Sequence, residues 1–179
     1  MQSDPLPAWV EDDAHFSSPR HRVWLRRRLS MFGCPVVFVL HNPSTAGLGV
    51  EDPTSRRGIA FANMLGASDL IFVNAVTGIA TNADDLAAMD DPVGPLADEA
   101  LLAAARFCET RQGIMIASWG CPKGRAKTRS LMTDRFRHIL GLGLPLHALR
   151  ITASGHPEHL LYLPSSLRPV PWDYAAQAA

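Results

Sequence analysis

Apolar residues in this chain arrive in short unbroken runs, separated by stretches where they recur at helical spacing. Val36-Val37-Phe38-Val39-Leu40 is the clearest run, β-branched and without polar alternation, and it predicts a buried strand. Leu70 to Val73 repeats the pattern and ends on Asn74. Gly113 to Ser118 does so again and ends on Trp119-Gly120, and His147 to Thr152 is a weaker fourth candidate. Helix signals fall in between. Asp52-Pro53-Thr54 offers an Asp cap and a first-turn Pro, predicting a helix to about Leu65 that stops at Gly66. Gly94-Pro95 opens a second helix, with Leu96, Ala100, Ala103 and Phe107 on one face. Asp98 and Glu99 in its first turn favour the positive end of the dipole. A third, from about Thr128 to Leu140, turns Met132, Phe136, Ile139 and Leu140 inward.

Apolar strands separated by helices imply a sheet covered on both faces. The expected fold is therefore α/β: a three-layer α/β/α sandwich with a mostly parallel central sheet of about four strands. His21 to Leu29 alternates, as an antiparallel edge strand near the N-terminus would. Residues 1–14, polar and proline-bearing, are read as a flexible segment, residues 15–164 as a single α/β domain and residues 165–179 as a tail on the surface. No internal repeat is present.

Composition narrows the class. With 179 residues, 47% apolar and 19% charged, the chain has the size and balance of one soluble globular domain. No run of 18 or more apolar residues occurs, so no membrane span is expected. The first residues lack the basic and apolar regions of a signal peptide. The 3 cysteines, Cys34, Cys108 and Cys121, are far apart and form no C-x-x-C pair, so no disulfide framework, metal site or cofactor is expected and a cytoplasmic setting is. Net charge is zero, yet the charges are segregated along the chain. Residues 84–99 hold Asp84, Asp85, Asp90, Asp91, Asp98 and Glu99 without a Lys or Arg. Residues 123–137 hold Lys123, Arg125, Lys127, Arg129, Arg135 and Arg137 against Asp134 alone, and a second basic cluster spans Arg20 to Arg28. These are either solvated faces of helices and turns or an anion-facing surface.

Ligands of open parallel sheets collect at the carboxyl ends of the strands. Those ends carry His41, Asn42, Pro43, Ser44 and Thr45, then Asn74, then Trp119 with the basic turn through Lys123, then His156-Pro157. Amides that both donate and accept suit a planar, hydrogen-bonding ligand such as a nucleobase. An imidazole can stabilise a departing anion. Taken singly, Asn42-Pro43 is also an ordinary turn start, Asn74 an ordinary strand end, and His156 an ordinary structural histidine. Other motifs fail. Gly120-Cys-Pro-Lys-Gly-Arg125 lacks phosphate-loop spacing, His156 and His159 have no thiol or carboxylate cluster beside them, and G-x-S-x-G is absent.

Several segments together are similar to a known family. Leu40-His-Asn-Pro-Ser-Thr-Ala46, Glu51-Asp-Pro-Thr-Ser-Arg-Arg57, Val73-Asn-Ala-Val76, Asp91-Pro-Val-Gly-Pro95, Ser118-Trp-Gly120 and Gly155-His-Pro-Glu-His-Leu-Leu-Tyr-Leu163 resemble the bacterial family called domain of unknown function 1643, over roughly residues 20–164. His41 stands where that family usually has Leu, and His159-Leu160-Leu161-Tyr162 where it often has His-Pro-Leu-Tyr. More distantly, the order strand-N-P, strand-N-A-V, I-x-x-W-G and H-P resembles the uracil-DNA glycosylase superfamily, whose members are α/β/α sandwiches. That second resemblance implies roles: Asn42 positions the hydrolytic water, Asn74 reads the base edge, and His156 stabilises the leaving base. The stacking aromatic stays open among Phe61, Trp119 and Trp24, and His41 is given no role.

The expected function is thus the binding of a nucleobase or nucleotide at the strand ends, and the second resemblance adds hydrolysis of an N-glycosidic bond in DNA or a modified nucleotide as the reaction it implies. The catalytic candidates are Asn42 and His156. Asn74, Pro43, Ser44, Thr45 and Trp119 would contact the ligand. Arg56, Arg57, Lys123 and Arg125 would meet phosphates, and a DNA substrate would need its base flipped into the pocket. The rival is a non-catalytic nucleotide or nucleic-acid binding module on the same scaffold.

Overall fold

The computed structural model of the protein describes residues 5–47 and 49–174. Seven strands form one sheet: β1 (Ala14–Ser18), β2 (His21–Arg28), β3 (Val36–Leu40), β4 (Asp69–Asn74), β5 (Ile114–Ala117), β6 (Leu146–Ala148) and β7 (Val170–Pro171). Their order is β1-β2-β4-β3-β5-β6-β7. The pairings β4–β3, β3–β5 and β5–β6 are parallel, whereas β1–β2, β2–β4 and β6–β7 are antiparallel. The sheet is therefore mixed and larger than the mostly parallel one of about four strands that the apolar runs suggested. The antiparallel flanks explain the difference. Ala-His-Phe-Ser-Ser and Val-Pro are polar or short, and each pairs along one edge, where an apolar run is not required.

Every residue of β3 is buried, because each of its faces meets a separate core. Val37 and Val39 point with Ile71, Val73 and Met115 toward α2 (Ala97–Thr110) and α3 (Ala126–Gly141). Val36, Phe38 and Leu40 point with Leu70 and Phe72 toward α1 (Pro53–Met64) and a 3-10 turn at Leu160–Tyr162. The two-residue period of the strand thus sorts one apolar run into two layers. Helix α1 starts as its sequence implies: Asp52 accepts from the Ser55 amide at 2.7 Å, and Ser55 Oγ accepts from the Asp52 amide at 2.8 Å. Such a capping box contributes about 1 kcal/mol. Helix α2 begins two residues later than Gly94-Pro95 suggested, because Gly94 and Leu96 both take left-handed backbone, at φ 78° and 63°. A Cβ on Gly94 would run into Thr77 Oγ1 and His21 Nδ1, so glycine lets this turn pack against the sheet.

Residues 8–11, in the segment read as flexible, form a 3-10 turn that buries Val10 and sets Trp9 edge-on to Trp24, centroids 5.5 Å apart. The segregated charges meet in space. Asp84 accepts from the Arg125 amide at 2.6 Å and Thr128 Oγ1 at 2.9 Å, and Asp98 holds Arg135 at 2.6 Å and His138 at 2.8 Å. Asp84 also pairs with the Arg125 guanidinium at 3.8 Å, so the acidic block neutralises Arg125 and Arg135 of the basic one. Nor is the Arg20–Arg28 cluster a uniformly solvated face, since Arg22 and Arg26 are 4% and 5% exposed. Among the described residues no helix is long and apolar enough to cross a membrane.

Candidate functional site

The chain leaves β3 at His41 and turns at once. Asn42 fixes that turn with its whole carboxamide: Nδ2 donates to the carbonyls of Pro43 at 2.8 Å and Ala80 at 2.6 Å, and Oδ1 pairs with His41 Nδ1 at 2.9 Å. Because Nδ2 donates twice, Oδ1 must accept and His41 Nδ1 must be the donor. Burial holds the His41 imidazole below its usual pKa, the hydrogen bond it donates to Asn42 opposes this, and the ammonium of Lys123 adds to the lowering. A neutral ring protonated on Nδ1 leaves Nε2 as an acceptor, and that atom is buried without a partner among the described residues. The ring also stands edge-on to Phe136, centroids 5.6 Å apart.

Strand β5 ends where the segment 150–159 crosses it. Ser118 Oγ donates to the Glu158 carbonyl at 2.8 Å, and the Gly120 amide donates to the Pro157 carbonyl at 2.9 Å. Arg150 grips Glu158 through two hydrogen bonds, 2.7 and 2.9 Å long. On this tethered, extended backbone the two imidazoles emerge toward different sides. His156 enters a pocket of about 260 Å³ with Trp119, Phe136, Arg137, Leu140 and Trp172. His159 enters a cleft of about 540 Å³ at the carboxyl ends of β3 and β5, with His41, Asn42, Ser44, Asn82, Lys123 and Tyr162.

His159 is the most perturbed imidazole of this cleft, its pKa pushed down to about 4, first by burial and then by Lys123 and His41, with Asp52 opposing. Its Nδ1 accepts from the Leu161 amide at 3.3 Å, so the neutral ring carries its proton on Nε2. Both imidazoles border the cleft, His159 protonated on Nε2 and His41 with its unprotonated Nε2 buried. Lys123 lies 5.3 Å from the centre of the Tyr162 ring, which is 65% exposed.

The residues singled out from sequence separate accordingly. Asn42, Ser44, Trp119 and Lys123 line the cleft, and Pro43 is buried just behind it, its carbonyl held by the Ala80 amide at 3.0 Å. Thr45 is exposed. Asn74 is buried opposite Leu40 in the β3–β4 register, with neither amide atom partnered among the described residues. His156 lies in the other pocket, so Asn42, Asn74 and His156 do not line one cleft. Trp119 borders both, stacked on Phe136 at 5.3 Å and nearly fully buried, and has no open face for a base. Among the candidate stacking aromatics, Phe61 and Trp24 are core residues. Arg56 is exposed and donates to the Glu51 carbonyl at 2.9 Å. Arg57 turns to the Leu163 carbonyl and lies over Phe61, and Arg125 caps α3 beside Asp84. Of the four basic candidates, Lys123 is the one that lines the cleft. Sequence reasoning passed over Tyr162 and His159, although the alternation of an extended H-P-E-H segment signals that its two histidines need not share a side.

The protein is thus a mixed α/β fold with a polar, imidazole-bearing cleft at the ends of its central strands. The family described as "Protein of unknown function (DUF1643)" matches residues 22–161, and the chain belongs to it. No curated protein and no solved structure matches the chain, so the likeness to the uracil-DNA glycosylase superfamily finds no support there.

Proposed function

We propose that the protein binds a nucleobase-bearing small molecule, a nucleoside or nucleotide, in the cleft at the ends of β3 and β5. The observation that carries this reading is the juxtaposition of a solvent-facing Tyr162 ring and Lys123 with the neutral, Nε2-protonated imidazole of His159 and the hydroxyl of Ser44. An exposed tyrosine gives a base a face to stack on, worth about 1–3 kcal/mol in nucleic-acid sites. The His159 N–H as donor and the Ser44 hydroxyl as acceptor match the amide-like edge of a base. Lys123 supplies a charge for a phosphate. Long DNA is a poorer fit, since the other basic candidates are engaged in ion pairs or backbone contacts away from the cleft.

Calorimetric titration with nucleosides and nucleoside monophosphates tests the reading. Saturable binding is expected, weakened about tenfold by Tyr162→Ala and again by Lys123→Ala for the monophosphates. Absence of saturation, or equal affinity in both variants, would refute it. A modest salt dependence is expected, because one cation rather than a row of them faces the ligand.

A hydrolytic role has one observation in its favour: a neutral His159 beside Asn42 presents an N–H that could steady a departing base, the part first given to His156. Release of free base that survives His156→Ala and is lost in His159→Ala would support that role. No release from any nucleoside or from uracil-containing DNA would remove it.

A further inference from the structure

On the α1 side of the sheet the cleft continues into a smaller inner chamber of about 40 Å³. Asn42, Ser44, Thr54 and His159 line both spaces, and Arg22 and Asp52 belong to the inner one. Arg22 is an unusual group to find there. It is 4% exposed, and among the described residues its guanidinium donates a single hydrogen bond, from Nη1 to the Ala46 carbonyl, while Nε has no partner. No carboxylate of the described residues lies within ion-pair distance of it. Asp52 and Glu51 act on it from farther away, and both are committed elsewhere: Asp52 to the Ser55 amide at 2.7 Å, Glu51 to the guanidinium of Arg27. Burial accordingly drags its pKa down to about 10. Buried cations are normally paired, so a guanidinium that borders a cavity with so few partners calls for an acceptor.

Two further features suit that acceptor. The first turn of the twelve-residue α1 borders the chamber through Thr54 and Ser55, bringing its amide dipoles to the same place. The chamber's volume of about 40 Å³ is enough for about three water-sized atoms, the bulk of a carboxylate or the outer oxygens of a phosphate. Hydroxyls of Ser44 and Thr54 can serve as neutral donors.

We propose that the inner chamber is an oxyanion subsite that takes a second oxyanion group of the ligand seated in the cleft, a carboxylate or a phosphate beyond the one Lys123 meets, with the Arg22 guanidinium as its charged donor. This rests on the cleft reading for the remainder of the ligand, but the anion can be tested alone. The negative Asp52 opposite makes the subsite selective for a group that can bond Arg22 directly, rather than for any diffuse negative charge.

Inorganic phosphate and acetate are the probes, followed by side-chain Nε–H and backbone NMR signals. Either anion should shift Arg22, Ser44 and Thr54 saturably, and Arg22→Met should weaken that binding at least about tenfold. The Ser44→Ala/Thr54→Val double variant leaves the arginine in place and should weaken it severalfold, which keeps the test decisive if Arg22→Met does not fold. Phosphate binding without acetate binding identifies a phosphate-bearing ligand, and the reverse a carboxylate. Anion binding with no response to any nucleoside leaves the subsite standing and overturns the cleft reading. Nucleoside binding with an unmoved Arg22 signal under both anions overturns the subsite, as does anion binding that Arg22→Met leaves unchanged.

Discussion

Replacing His159 with Gln removes an imidazole that the fold keeps neutral, and the effect on acid stability follows in sign and size. The unfolded chain takes up a proton at this residue near the ordinary histidine value of 6.5, whereas the native one does so only at about 4. Between those values the unfolded state binds the extra proton, so stability that is fully present above pH 6.5 is lost as the pH falls through the native pKa. The separation of about 2.5 pH units, at about 1.4 kcal/mol per unit, amounts to roughly 3 kcal/mol. His41 is also depressed and adds in the same direction in both proteins. Urea unfolding of the wild type and His159→Gln at pH 7 and pH 4.5 isolates the term. The variant should be less stable at pH 7, having lost the acceptor for the Leu161 amide, yet lose about 2–3 kcal/mol less on acidification. Parallel pH profiles, or an NMR titration that puts native His159 at or above 6.5, would refute the assignment of a buried neutral ring.

Three other outcomes test the frame around the cleft. Asn42→Asp keeps the shape but replaces the donor to the Pro43 and Ala80 carbonyls with a second acceptor, and should cost about 1–3 kcal/mol in urea unfolding at pH 7. Gly94→Ala forces a Cβ against Thr77 and His21 in left-handed backbone and should lower stability by about 1–3 kcal/mol or more, read as a fall in Tm. Burial pushes the Cys108 thiol up to about 12, so iodoacetamide at pH 8 should label exposed Cys34 and leave Cys108 untouched until urea is added, as judged by peptide mass spectrometry.

Much of the scaffold was legible in the residues because its signals are local. The β3 run is apolar throughout since both faces are covered, and Asp52-Pro53 announced α1 through cap chemistry that depends on four consecutive residues. The edge strands β1 and β7 carried no such signal, because an edge pairs through its backbone and its side chains may be polar. At the site, Asn42, Ser44 and Lys123 could be placed from their positions just after strands. The exchange of His156 for His159 could not, since it depends on how Ser118, Gly120 and Arg150 tie down the crossing segment. Arg22 was hidden in a basic cluster that reads as solvated, and only β2's place between β1 and β4 buries it.

The central claim, a base-binding cleft built on Tyr162, Lys123, His41 and His159, is tested most directly by mapping amide and imidazole NMR shifts while a nucleoside monophosphate is added. The account predicts saturable shifts gathered on His41, Asn42, Ser44, Lys123, His159 and Tyr162, with His156 and Trp172 quiet. Shifts centred on the His156 pocket, or none at all, would contradict it.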